Sequence, residues 1–205
     1  MAEQLEAFPL FPLGIVMLPS EMVPLHIFEE RYQLMVGECL DEDREFGIVW
    51  ASDAGLSAVG CSGRITQVLE RMEGGRMNIL VRGTRPFRLV ARTPDRPYPA
   101  GTVEPLDDEG GEVPPELAAT ARERYAALVE RVTDSRPEAG ELDQLDAYGM
   151  AATIEYALAP KQALLEERSE AKRLELVAGM LDSMLRKLDA SDQAGDLAKT
   201  NGKLR

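Results

Sequence analysis

A chain of 205 residues that is 44% hydrophobic but only 5% aromatic can build an aliphatic core for one large domain or two small ones. Its formal net charge of −13 excludes nucleic-acid binding by bulk positive charge. The start, Met1-Ala-Glu-Gln4, is acidic and leads into no apolar leader core, and no run approaches the roughly 18 apolar residues of a bilayer span. A cytoplasmic protein without a membrane segment is expected.

The chain opens with Phe8 to Ile27, where Pro9, Pro12, Pro19 and Pro24 punctuate short apolar runs. Proline fixes φ and donates no N–H, so these runs predict edge strands and extended turns. From Phe28 the apolar residues Phe28, Tyr32, Met35 and Cys39 take helical spacing. Glu45 to Trp50 reads as a strand. Cys61–Met72 and Arg76–Arg82 flank Glu73-Gly74-Gly75, a hairpin turn. Gly83-Thr84 reads as a second turn, with Arg85 to Arg92 and Gly101 to Leu106 as further strands. Short strands joined by tight turns predict a closed or partly closed barrel over residues 1–106.

Residues 107–115 are acidic and rich in glycine and proline, which reads as a linker. Residues 116–188 then read as a helical subdomain. Leu117, Ala121, Tyr125, Leu128 and Val132 make one stripe. Leu142, Leu145, Met150, Ile154 and Leu158 make a second, and a short helix begins at Pro160. Ser169 caps a last helix striped by Leu174, Val177, Leu181, Met184 and Leu188. Residues 189–205 are polar and predict a disordered tail. The fold class is therefore α+β: a β module with one helix, then a helical bundle.

Catalytic chemistry finds little support. His26 is the only histidine, and a nucleophile needs an activating base beside it. A hydrolase would have to pair His26 with Cys61 or Ser62, or with Cys39, and no orienting group is indicated. Gly60-Cys-Ser-Gly63 is one residue too short for a nucleophile elbow. The cysteines Cys39 and Cys61 lie in apolar runs and read as buried reduced thiols. Carboxylates cluster at Glu29-Glu30, Asp41-Glu42-Asp43, Asp107-Asp108-Glu109 and Glu166-Glu167, but adjacent carboxylates in polar segments are usually solvated surface. No metal-ligand, P-loop or dinucleotide motif occurs, so no cofactor is expected.

The segment "FPLFPLGIVMLPSEMVPLHIFEERY" resembles the opening of the Lon protease N-terminal, substrate-binding domain. The resemblance continues through "FGIVW" and "VGCSGRITQVLERMEGGRMNILVRGTRPFRLV", and returns at "KQALLEERSEAKRLELVAGML". It rests on Pro9, Leu10, Pro12, Leu13, Pro24, Leu25, Phe28, Glu29 and Tyr32, and departs from the usual pattern at Gly14. It implies a PUA-like β-barrel followed by a helical bundle, and a stand-alone substrate-binding module without the ATPase and Ser-Lys protease parts. The implied partner is a protein or an unfolded peptide, with a separate protease as a further partner in an adaptor role. Extended peptides bind by adding a strand to a sheet edge or by seating apolar side chains in grooves. Phe8, Phe11, Met17, Met22 and Phe28 are the candidate anchors, against the alternative that they are core. PUA-like barrels also bind RNA; Arg64, Arg71, Arg76, Arg82, Arg85 and Arg88 are the residues for that reading, and the net charge opposes it.

Overall fold

The computed structural model describes residues 4–202. They divide into two compact units: the chain up to Glu109 together with Ala151–Arg168, and Gly110–Met150 together with the chain from Ser169 onward.

The first unit is built on seven strands: β1 (Leu5–Leu13), β2 (Met22–Ile27), β3 (Phe46–Ser52), β4 (Gly55–Leu56), β5 (Val59–Arg71), β6 (Met77–Thr93) and β7 (Ala100–Pro105). They pair in the order β1-β7-β6-β5-β3-β4, and a parallel β1–β3 pairing closes a ring of five. Phe8, Leu10, Val49, Phe87 and Val103 fill its centre. Helix α1 (Glu30–Asp41) buries Tyr32, Met35, Val36 and Cys39, the stripe that the sequence spacing predicts. Phe28 lies outside that stripe, ahead of the helix and exposed.

β6 crosses Gly83-Thr84 without turning. A turn is expected here from the Gly-Thr pair; the glycine instead admits the preceding loop. A Cβ there would stand 2.0 Å from the Leu18 carbonyl oxygen. The Gly83 N–H donates to the Glu21 carbonyl, and the Gly83 carbonyl accepts from Ser20, each at 2.9 Å. The expected turn at Glu73-Gly74-Gly75 is present, with Gly74 at φ 73° and Gly75 at φ 75°, the left-handed region where a missing Cβ removes the steric cost.

Helix α5 (Leu158–Glu166) belongs to this unit, although the single cut at 107–115 assigned it to the helical subdomain. Two polar contacts tie it down. Buried Gln162 donates to the Val59 carbonyl of β5 at 3.0 Å, and Lys161 Nζ lies 2.5 Å from Glu21 Oε1.

The second unit holds α2 (Pro115–Thr133), α3 (Ala139–Leu142), most of α4 (Ala147–Ala151) and α6 (Glu170–Gly202). Pro115 starts α2 at a position where a missing N–H costs nothing. Ala121, Tyr125, Ala126 and Leu128 of α2 are buried, as are Leu174, Val177, Ala178 and Leu181 of α6. The α2 stripe stops short of Val132, which is 68% exposed. Arg124 bridges to Asp182 at 2.9 Å. The single helix expected through Leu142–Leu158 is broken into α3, α4 and α5, with turns between them. α6 continues to Gly202 where a disordered tail from 189 was expected; residues 203–205 lie outside the described residues. Once nucleated, a helix adds residues cheaply, and Asp192 pairs with Arg131 of α2.

Candidate functional site

The five proposed anchors separate into two groups. Phe8, Phe11 and Met17 are core: all three are buried, Phe8 packs edge-on to Phe87 with centroids 5.7 Å apart, and Phe11 lies 4.1 Å from the Tyr32 ring. Phe8 faces the ring centre, whereas Phe11, an odd number of residues on and so on the other face of β1, packs against Tyr32 of α1 and Phe46; none of the three is an exposed anchor. Met22 and Phe28 stand at the two ends of β2 and are 44% and 61% exposed.

β2 is what places them. It pairs with β6 from Met22↔Arg82 to Ile27↔Met77, and among the described residues with no other strand. The Gly83–Glu21 bond marks a hydrogen-bonded pair, so Val23, Leu25 and Ile27 direct their backbone groups at β6. Met22, Pro24 and His26 direct theirs away. Pro24 therefore sits where its missing donor leaves the ladder intact.

β6 is paired on its other side with β5, so three strands share one outer face. Met22, Arg82 and Arg64 form one row across it, Pro24, Leu80 and Gln67 the next, and His26, Asn78 and Glu70 the third. A register shift between Val68 and Glu70 pushes Leu69 out, 48% exposed. Pro24, Leu25, His26, Leu69, Glu70 and Asn78 line a shallow depression of about 630 Å³. A second, of about 390 Å³, lies beside the start of β2, between Ile15, Met22 and Pro24 on one side and Ile154, Tyr156 and Leu158 on the other.

Polar contacts fix the third row. His26 Nδ1 is 2.7 Å from Asn78 Oδ1, and Asn78 Nδ2 donates to Glu70 Oε2 at 3.0 Å. Since Oδ1 only accepts, Nδ1 carries the proton. The His26 ring stacks on Phe28, with centroids 5.7 Å apart and planes at 22°, so its apolar surface continues the patch.

His26 is not brought to a nucleophile. Cys61 is opposite Pro86 and His26 opposite Asn78; eight residues along β6 separate the two registers by roughly 26 Å. The Cys61 thiol is fully buried and points its hydrogen at the Ser62 carbonyl, 3.4 Å away. Burial pushes its pKa far up, which keeps it protonated and inert. Burial also raises Cys39. Among the described residues no group of three or more His, Cys, Asp or Glu could hold a metal ion.

The six arginines are exposed, and acids are interspersed among Arg64, Arg71 and Arg76. Arg64 bridges to Asp43 and Glu45, at 3.6 and 3.4 Å, and Glu70 and Glu73 lie between Arg64 and Arg76 along the chain. These acids interrupt the Arg64–Arg76 part of the basic face that an RNA reading needs.

A family model described as the ATP-dependent protease La (LON) substrate-binding domain matches residues 7–183. The chain belongs to the Lon substrate-binding domain family. Its relatives include the Lon protease 2 of Myxococcus xanthus, 24% identical across 95% of this chain and 26% of that protein. The Lon protease of Azorhizobium caulinodans is 31% identical across 87% of this chain and 23% of that protein. The chain thus spans about a quarter of the length of these relatives, and the matched part is the substrate-binding part. Among solved structures, the Lon N-terminal domain protein from Xanthomonas campestris superposes with a TM-score of 0.67 at 27% identity, covering 85% of this chain and 98% of that one. The N-terminal domain of Mycobacterium avium complex Lon protease gives 0.64 at 21% identity, covering 88% and 98%, a likeness of fold. Among the described residues no helix is long and apolar enough to cross a membrane.

Proposed function

We propose that this Lon-family domain captures extended, apolar-rich polypeptide segments on β2, by contact alone, as the recognition step of a proteolytic system. One observation carries the reading. Met22, Pro24, Leu69 and Phe28 expose apolar surface around a strand whose outer edge is not paired with another strand among the described residues. A segment laid along the face beside β2 seats alternate side chains in the depressions beside and below Met22, Pro24 and His26. Methionine and the stacked His26–Phe28 pair suit a surface that takes many sequences. The protease served is a separate chain or a further part of a longer one.

Fluorescence anisotropy with a labelled, permanently unfolded model protein tests this. The paired variant Phe28→Asp/Leu69→Asp is expected to weaken binding at least about tenfold, through loss of roughly 1.5–3 kcal/mol of apolar contact per side chain. Its urea midpoint is expected to stay close to that of the parent. Absence of binding by the parent, or equal binding by the variant, overturns the reading.

A further inference from the structure

We infer that the outer face of β2–β6–β5 carries a charge frame, and that it selects extended segments with an apolar residue midway between an acidic and a basic one, these two being four positions apart. The inference rests on the capture reading above.

The frame follows from the register. At one end of the face the row Met22–Arg82–Arg64 puts two arginines opposite one another in the register. Arg64 is engaged by Asp43 and Glu45, so Arg82, which is exposed, supplies the positive charge. At the other end the row His26–Asn78–Glu70 puts a carboxylate beside the Leu69 bulge. Asn78 holds Glu70 by one oxygen, and His26 holds Asn78. The carboxylate is thereby oriented within the depression it lines. Between the two rows lies Pro24–Leu80–Gln67, whose first two members are apolar.

Arg82 and Asn78 are four residues apart on β6, which is about 13 Å. Residues i, i+2 and i+4 of an extended peptide share one face and span the same length. A segment laid along these strands therefore places an acidic residue at Arg82, an apolar one over Pro24 and Leu80, and a basic one at Glu70. Separation by three positions turns one charge away from the face.

Three labelled nine-residue peptides test this at low ionic strength. All carry leucine at the centre. The first has Asp and Lys four positions apart flanking the leucine, the second has them three apart, and the third has Ser and Gln in their place. Two exposed ion pairs predict a gain of about fivefold for the first peptide over the third, and little gain for the second. The ratio of first to third is expected to fall near one in Arg82→Gln and in Glu70→Gln, and the gain to fade as salt rises. If all three peptides bind the parent equally, or the ratio survives both substitutions, the charge frame is overturned while the capture reading stands. If none binds, the capture reading falls and the frame with it.

Discussion

Gly83 and Leu18 meet backbone to backbone: a Cβ on the glycine would stand 2.0 Å from the Leu18 carbonyl oxygen. This approach holds the 18–21 loop against β6, and that loop leads directly into β2. Gly83→Ala must push backbone away from backbone, with no flexible side chain to yield. A loss of about 1–3 kcal/mol is expected, measured by urea unfolding. Affinity for an unfolded model protein should fall with it, because β2 is displaced.

Lys161 and Glu21 form a second tie in the same region. Their side chains are only 11% and 16% exposed, and Glu21 also accepts the Leu18 N–H at 2.8 Å. Lys161→Ala leaves a half-buried carboxylate without its counter-ion and is expected to cost about 1–3 kcal/mol. The pair Glu21→Gln/Lys161→Met removes both charges and should recover part of that loss. A double-mutant cycle on the parent, Glu21→Gln, Lys161→Met and the pair measures the coupling.

Phe11 and Phe28 test the division between core and surface. Phe11→Ala empties a site between Tyr32 and Phe46 and should cost about 3–5 kcal/mol. Phe28, 61% exposed, should change stability by no more than about 0.5 kcal/mol on truncation to alanine. Equal thermal shifts for the two variants would contradict the assignment of Phe28 to the surface.

Alkaline pH should destabilise the first unit. Burial raises Cys39, Cys61, Tyr32 and Tyr98, and Tyr98 also donates its hydroxyl to Glu38. A raised pKa means that the folded state keeps its proton where the unfolded chain has lost it. Stability is therefore complete below the unfolded values, about 8.5 for a thiol and about 10 for a phenol, and declines as pH rises above them. Urea midpoints across this range should fall steadily. Tyr98→Phe should flatten the part of the decline that begins near pH 10. Both thiols should resist a maleimide reagent in the native protein and react on unfolding.

Local pattern carried much of this fold. The spacing of Tyr32, Met35 and Cys39 marks α1, and the alternation of Met77, Ile79 and Val81 marks the inner face of β6, all buried as that alternation requires. Gly83 misled because glycine in a strand signals either a turn or a close approach, and only the distant partner, Leu18, distinguishes them. α5 misled for a related reason: its ties, Gln162 to Val59 and Lys161 to Glu21, span 103 and 140 residues. Of the candidate site, Met22 and Phe28 were legible as large apolar residues beside prolines. Leu69 was not, because it surfaces through a bulge in β5, and a register shift leaves no mark in the hydrophobic period.

The parallel union of β1 with β3 and its antiparallel union with β7 set the timing of biogenesis. β1 has one neighbour some forty residues downstream and another about ninety. It waits with its proline-broken edges in solvent until Ala100–Pro105 has been synthesised, and the unit is finished only when Leu158–Glu166 arrives to dock on β5. Nascent chains stalled before β7 should therefore be protease-sensitive throughout, and protection should appear late and abruptly, since loop closure across such spans precedes most of the contacts that reward it.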